Sequence, residues 1–313
     1  MTFTIQIKEE ISKIKSTKSE IIAELSAYIK NNGHIKDNTI TLSTENHFLI
    51  ERIKEEIKDL YDEEPKEEII GNQNFSKKIL YQITISEKVD NILKDLGIID
   101  ENGEKLDVVP KYIVGANEEI RGYLRGVFLA CGSINDPKTS RYHMELLVER
   151  PSEAVFVQQL LNLFDLNAKI LNRDKGYMIY IKEAERISDF IKIIGANKAV
   201  LYYEDIRVYR DKKNNTNRLN NMEQANMDKV IETANSQLKD IEIIEKNDGL
   251  VLLDDKVLIA LKYRKKYPEA SLKELAEIIS LETNKSITKS GLNHRLKKIE
   301  DLANQFRKMN EKE

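Results

Sequence analysis

The sequence predicts an α+β protein: two pseudo-symmetric repeats of αββαββα type, followed by an all-α helix-turn-helix domain. Three observations carry that prediction. A helix striped with small residues occurs twice, 99 positions apart. Matching strand and helix patterns follow each copy in the same order. The C-terminal segment then shows helical signals only, with a short second helix and a basic third one.

The striped helix comes first. In "EIRGYLRGVFLACGSI" (119–134), Gly122, Gly126 and Ala130 fall on every fourth position, leaving a nearly bare helix face that another backbone can approach. Gly132 follows the last turn, as glycines at helix stops do. Its counterpart is "EIIAELSAYIKNNGHI" (20–35): Ala23 aligns with Gly122, Ala27 with Gly126, Gly33 with Gly132 and Ile35 with Ile134. Two such stripes predict two helices packed face to face on a pseudo-two-fold axis.

Each copy then continues alike. A strand-pair region follows ("NTITLST", 38–44; "YHMELLVE", 142–149), then an amphipathic helix ("HFLIERIKEEIKDLY", 47–61; "SEAVFVQQLLNLFD", 152–165). Next come a strand with period-two alternation ("LYQITIS", 80–86; "GYMIYIK", 176–182) and a closing helix ("EKVDNILKDLG", 87–97; "AERISDFIKIIG", 184–195). The repeats are placed at 1–103 and 104–205, a basic link with a connecting helix at 206–249, and the helix-turn-helix domain at 250–313.

The link, "IRVYRDKKNNTNRLNN" (206–221), sets Arg207, Arg210, Lys212, Lys213 and Arg218 against one acid, Asp211. Its asparagine-rich part (214–221) is expected to be irregular. Two readings fit equally: a solvated linker, or a segment that neutralises phosphates without reading sequence. A helix over 222–244 follows, with Ala225, Val230, Ala234 and Leu238 as its small and apolar positions, and Asp248-Gly249 marks a break.

Three helices are expected beyond it. The first (254–268) ends at Pro268; the second (271–280) opens on a capping box, Ser271 with Glu274, and buries Leu272, Leu275, Ala276 and Ile279. The third (288–306) carries an apolar stripe of Leu292, Leu296, Ile299 and Leu302, opposite Ser290, Asn293, His294 and Lys297. From 285 to 298, Lys285, Lys289, Arg295, Lys297 and Lys298 meet no acid. A helix-turn-helix puts its third helix in the major groove, where Asn pairs with adenine and Lys with guanine while flanking cations take phosphates. The turn is longer than the compact form and lacks glycine, so a basic helix in a small bundle is the alternative. The expected DNA-binding set is Ser271, Lys273, Lys285, Thr288, Lys289, Ser290, Asn293, His294, Arg295, Lys297 and Lys298, with Arg210, Lys212, Lys213 and Arg218 in the link.

Composition narrows the function classes. The chain has 313 residues, of which 33% are charged and 41% hydrophobic, enough apolar residue for two or three cores. Its net charge of -3 means that any nucleic-acid site is a local basic face. The single cysteine, Cys131, excludes an internal disulfide and suits a reducing cytosol. "MTFTIQIKEEISK" lacks a secretory signal pattern and no apolar run reaches the length of a membrane span, so a cytoplasmic location without a membrane partner is expected. There is no phosphate-cradling glycine loop, and His34, His47, His143 and His294 are scattered without metal-ligand spacing. Neither cofactor nor metal is expected.

"YLRGVFLACGS" resembles the signature helix of the LAGLIDADG homing endonucleases, which pair two such helices and place a catalytic acid before each final glycine. Here those positions hold Asn32 and Cys131, neither a carboxylate, so the resemblance implies an inherited scaffold without its metal-binding acids. Asp37 and Asp136, also 99 apart, offer a displaced acid pair for a metal-dependent endonuclease, although "KDN" and "NDP" are strong turn signals. "YLRGVFLACGSINDP" (123–137), "NRLNNMEQANMDK" (217–229), "YPEASLKELAEII" (267–279) and "ITKSGLNHRLKKI" (287–299) together resemble the WhiA DNA-binding regulators of Gram-positive bacteria. That resemblance implies a nucleoid-associated transcription regulator linked to sporulation or cell division, without nuclease activity. Its partners would be double-stranded DNA and proteins of the transcription or division machinery. A third reading makes the repeats a scaffold for protein partners, with the tail tethering it to DNA.

Overall fold

The computed structural model describes residues 2–71, 79–139 and 141–310. The chain forms two units, Met1–Asp211 and Lys212–Glu313. The first opens with helix α1 (Phe3–Ile11), which the repeat pattern did not include. Phe3, Ile7 and Ile11 lie four apart on one face of α1 and are all buried, so its own spacing explains the docking.

The first repeat runs α2 (Lys18–Asn32), β1 (His34–Lys36), β2 (Thr39–Thr44), α3 (His47–Tyr61), β3 (Lys66–Gly71), β4 (Ile79–Ile85), α4 (Val89–Asp95). The second runs α5 (Asn117–Cys131), β5 (Gly132–Ile134), β6 (Met144–Val148), α6 (Pro151–Asn162), β7 (Lys169–Arg173), β8 (Gly176–Ile181), α7 (Ala184–Ile193). Each is an αββαββα unit. Both sheets are antiparallel and share one topology, in the orders β1-β2-β4-β3 and β5-β6-β8-β7. Alternation sets the faces: Ile40, Leu42, Ile83 and Ile85 of the first sheet and Met144, Leu146, Ile179 and Ile181 of the second are buried on the helix side.

The two striped helices meet at their backbones. A Cβ added at Gly126 would lie 2.2 Å from the Glu24 carbonyl oxygen, and one at Gly122 would lie 2.6 Å from that of Glu20. Gly33 and Gly132 serve a different purpose from the left-handed cap expected of a helix stop. Both have negative φ (-75° and -88°), and a Cβ there would meet Ile29 O at 2.5 Å and the Phe128 ring at 2.2 Å. Space, not backbone handedness, selects these glycines.

Helix α8 (Asn197–Lys246) is continuous for 50 residues and passes from one unit into the other. This corrects the expectation of an irregular 214–221. Asparagine is a weak helix former, costing about 0.5–0.7 kcal/mol against alanine, but it does not break a helix. No proline or glycine lies between 197 and 248. Anchored turns on both sides supply the nuclei, and stopping midway would strand four carbonyls and four N–H groups. Val200 and Tyr203 anchor the first end; Ala234, Ile241 and Ile244 are buried near the second.

The second unit adds α9 (Asp255–Lys266), α10 (Leu272–Thr283) and α11 (Lys289–Asn310). Its core joins Ile241 and Ile244 to Val257, Ala260, Leu261, Leu275, Ala276, Ile279, Leu292, Leu296, Ile299 and Ala303. Leu302, expected in the buried stripe, is only partly covered and Ala303 takes the inner position. Among the described residues no helix is long and apolar enough to cross a membrane.

Candidate nucleic-acid interface

The ends of α2 and α5, where the endonuclease scaffold would carry its acids, hold neutral groups in this chain. The Asn32 amide oxygen accepts from the Ser43 N–H at 3.4 Å. The Cys131 thiol donates to Val127 O at 3.3 Å, and burial pushes its pKa up to about 12 despite the Lys8 ammonium nearby. Lys8 in turn donates to Leu129 O at 3.0 Å, capping the carbonyl end of α5. Of the displaced acids, Asp37 sits with Asn38 in left-handed backbone between β1 and β2. Asp136 accepts from the Lys138 N–H at 2.8 Å and from the Tyr202 hydroxyl at 3.4 Å. Both act as turn residues, which is what their local sequence signals.

His47 departs from the expectation of isolated histidines. With Glu51, one helical turn on, and Glu67 from β3, it offers three ligand atoms within 4.8 Å of one another. A cation already serves this cluster: the Lys54 ammonium lies 2.6 Å from Glu67 Oε2 and 3.4 Å from Glu51 Oε1.

In the second unit the expected recognition helix is well held. Leu292, Leu296 and Ile299 pin α11 to the core, leaving Ser290, Asn293, His294 and Lys297 exposed on the opposite side. The turn before it spans 284–288, since α10 continues to Thr283. Asn284 takes the left-handed conformation (φ 52°) that a glycine usually supplies. The Ser280 hydroxyl accepts from the Ile287 N–H at 2.9 Å and donates to Ala276 O at 2.8 Å, tying the turn to α10. Thr288 caps α11 by accepting from the Gly291 N–H at 3.1 Å, and Ser271 caps α10 in a reciprocal box with Glu274. These two hydroxyls thus already have backbone partners. Lys273, Lys285 and Lys289 are exposed, Arg295 is half-buried, and Lys298 pairs with Asp254 at 3.3 Å.

The link cations behave differently from one another. Arg210 belongs to the first unit: its guanidinium donates to Pro137 O at 2.7 Å and Thr139 O at 2.6 Å, and lies 4.5 Å from the Tyr142 ring centroid. Lys212, Lys213 and Arg218 are exposed on α8. At 3.6 residues per turn they stand about 100–140° apart around the helix, so they do not form one face.

Residues outside the expected set join three members of it, Ser271, Lys273 and Lys289, beside the starts of α10 and α11. A cavity of about 230 Å³ is lined by Lys229, Val230, Thr233, Arg264, Ala270, Ser271, Leu272, Lys273 and Lys289. Arg264 is 1% exposed and donates to Ala270 O at 2.7 Å, while its Nε has no hydrogen-bond partner. A sequence signal for its burial exists: Val257, Ala260, Leu261 and Arg264 fall at i, i+3, i+4 and i+7, the inward stripe of α9.

Comparison with known proteins places these features in one lineage. Residues 18–99 match the WhiA N-terminal LAGLIDADG-like domain, 120–213 the WhiA LAGLIDADG-like domain, and 216–303 the WhiA C-terminal HTH domain. A relative from Enterococcus faecalis, named "Probable cell division protein WhiA", is 37% identical over 314 residues, covering 98% of this chain and 99% of that protein. One of the same name from Staphylococcus aureus is 38% identical over 311 residues, with 98% of each covered. The crystal structure of full-length DUF199/WhiA from Thermatoga maritima superposes with a TM-score of 0.59 at 25% identity, over 98% of this chain and 99% of that one. The chain belongs to the WhiA family.

Proposed function

We propose that the chain is a non-catalytic, sequence-specific DNA-binding protein that regulates transcription in connection with cell division or sporulation. The observation that carries this reading is the α11 face. Asn293, His294 and Lys297 stand exposed and without partners among the described residues, on a helix whose opposite side is locked into a core. An amide and an ammonium one turn apart can address adenine and guanine edges in a major groove. Ser271, Lys273, Lys285, Thr288, Lys289, Ser290, Arg295 and Lys298 are proposed to position the duplex through phosphates. Lys212, Lys213 and Arg218 supply contacts that do not discriminate sequence; Arg210 is better explained as the fastener of the 137–139 turn.

The proposal includes a cytoplasmic, nucleoid-associated location and protein partners from the transcription or division machinery; the link to division is in keeping with the name that the relatives carry. It excludes the endonuclease with a displaced acid pair, because Asn32 and Cys131 supply no carboxylate and Asp37 and Asp136 shape turns.

The test has two parts. Selection of duplexes from a random pool by the full chain should enrich one motif, and genome-wide capture should recover that motif in chromosomal DNA. Incubation of supercoiled plasmid with the chain and magnesium or manganese should leave it intact. An unenriched pool sinks the sequence-reading claim, and nicked plasmid restores the endonuclease.

A further inference from the structure

The two sheets share one topology, so each strand position in one has a counterpart in the other. Their open faces, the sides turned away from the helices, can therefore be compared row by row. Beside the buried pair Leu42–Ile83, the first sheet sets Ser43 of β2 against Gln82 of β4, and Gln82 against Glu68 of β3. That row is polar across three strands. Beside the matching pair Leu146–Ile179, the second sheet sets Leu147 of β6 against Met178 of β8, and Met178 against Leu171 of β7. Here the row is apolar throughout. Leu147 and Leu171 are 44% and 45% exposed, while Met178 between them is covered, with an Arg173 guanidinium nitrogen 3.6 Å from its sulfur. The fold does not demand leucine at these places, because the first repeat keeps the same topology with serine, glutamine and glutamate. Single exposed leucines are ordinary, but a contiguous apolar row needs a reason of its own, and burial against a partner supplies one.

Charge surrounds that row unevenly. Alternation along β7 puts Lys169, Leu171 and Arg173 on the same face, a cation about 7 Å to either side of the leucine. Lys182, just past β8, holds its ammonium 4.8 Å from the Tyr180 ring centroid. Among the described residues none of these three cations has a carboxylate partner. Glu145, the carboxylate that the strands place on this face, already accepts from the Ser133 hydroxyl at 3.2 Å and lies 3.1 Å from His143 Nε2. Glu149, just past β6, lines a cavity with Lys30 and Arg150. The result is an apolar centre with an unpaired cationic border.

We propose that the open face of the second sheet docks an acidic amphipathic segment of a partner protein, whose apolar side covers Leu147, Met178 and Leu171 and whose carboxylates meet Lys169, Arg173 and Lys182. Complementary charge sets the sign of the partner. The apolar row separates it from DNA, whose phosphates need hydrogen-bond donors where Leu147 and Leu171 offer none. This surface belongs to the first unit and α11 to the second, so the inference stands whether or not α11 reads DNA.

Three full-length proteins test it: the native chain, Leu147→Ser with Leu171→Gln, and Lys169→Glu with Arg173→Glu. All four substituted side chains are exposed, serine is what the first sheet carries in place of Leu147, and melting temperatures check each fold. The probes are peptides selected on the native chain from a random displayed library. The expected result is an enriched family rich in Asp and Glu with spaced apolar residues. It should bind the native chain at one equivalent and each variant at least about fivefold more weakly. No enriched family, a family without acidic excess, or binding that either variant leaves unchanged overturns the proposal. Each protein is also titrated with random-sequence duplex DNA and sedimented alone. Duplex affinity lost in both variants gives the face to nucleic acid, and self-association that both variants abolish gives it to a second copy of the chain. Either outcome overturns the acidic partner.

Discussion

The unit formed by residues 1–211 buries a small set of charged side chains in pairs with one another, beside many exposed ones; the unit formed by 212–313 leaves the lysines of α11 and of the start of α10 exposed. Glu24 on α2 accepts from Arg125 Nε at 2.6 Å and Arg52 Nη2 at 3.0 Å, all three side chains being less than a tenth exposed. Lys30 is held 3.3 Å from Glu153, which also accepts from the Tyr123 hydroxyl at 2.7 Å. Buried pairs of this kind specify one packing more than they add stability, and they offer nothing to a polyanion. The second unit has its own internal pairs, such as Lys265 with Glu245 and Lys266 with Glu282. Its α11 face and the wall beside α10 nevertheless lack such partners. The difference teaches where to test for a ligand: the repeats bury a charged network between their helices, whereas the exposed α11 face is where the proposed DNA contact would lie.

The largest effect should come from breaking the cohesion. Gly126→Val forces side-chain atoms into the Glu24 carbonyl, and overpacking against a backbone so close costs about 3 kcal/mol or more. Urea unfolding should show the loss in the transition of the first unit, with the helical second unit unchanged. A cost under about 1 kcal/mol would falsify the close packing of α2 on α5.

Next is the recognition side. Asn293→Ala or Lys297→Ala should cost about 1–3 kcal/mol on the selected duplex and much less on a scrambled one. Neutralising Lys212, Lys213 and Arg218 should weaken both duplexes alike and flatten the salt dependence by about 0.9 for each phosphate no longer neutralised. Because the three cations surround α8, fewer than three phosphates should be freed on any one duplex. If the link variants abolish discrimination and the α11 variants keep it, the reading head has been placed on the wrong helix.

A smaller effect tests the inward charges by pH. Burial, and after it the Glu24 carboxylate, raise Glu56 to about 8 against the pull of Arg52. A carboxyl raised above its unfolded value stabilises the fold fully below about pH 4.5, and that contribution is lost as pH climbs toward 8. Glu56→Gln should therefore change little at pH 5 and stabilise the first unit by about 1–2 kcal/mol at pH 8. Equal effects at both pH values would show that Glu56 is ionised throughout.

The smallest effect concerns the missing acids. Adding carboxylates with Asn32→Asp and Cys131→Asp puts one of them beside the Lys8 ammonium, an internal cation that pairs with it. Magnesium should move the melting temperature of this double variant by no more than about 2 °C, on the order of half a kcal/mol. Adding Lys8→Met should create a metal dependence where the pair had none. A strong magnesium effect already in the double variant would remove Lys8 from the explanation.

The residues alone determined the duplication, the order of elements within each repeat, the face-to-face packing of the glycine-striped helices and the outward polar face of α11. These are consequences of periodicity and side-chain size, and both are local: a period of four or of two marks a face before any partner is known. The buried face of α1 and the inward position of Arg264 were legible by the same rule, in Phe3, Ile7 and Ile11 and in the spacing from Val257. Only the tertiary structure decided the rest. It carried a weak helix former through 214–221 because anchored turns on both sides had already met the cost of nucleation. It brought Arg210 to carbonyls 71 and 73 positions away, and Lys8 to a helix end 121 positions away. It also set Lys229, Arg264, Lys273 and Lys289 around one space. Which charge meets which is a property of packing between distant segments, and no local pattern encodes it.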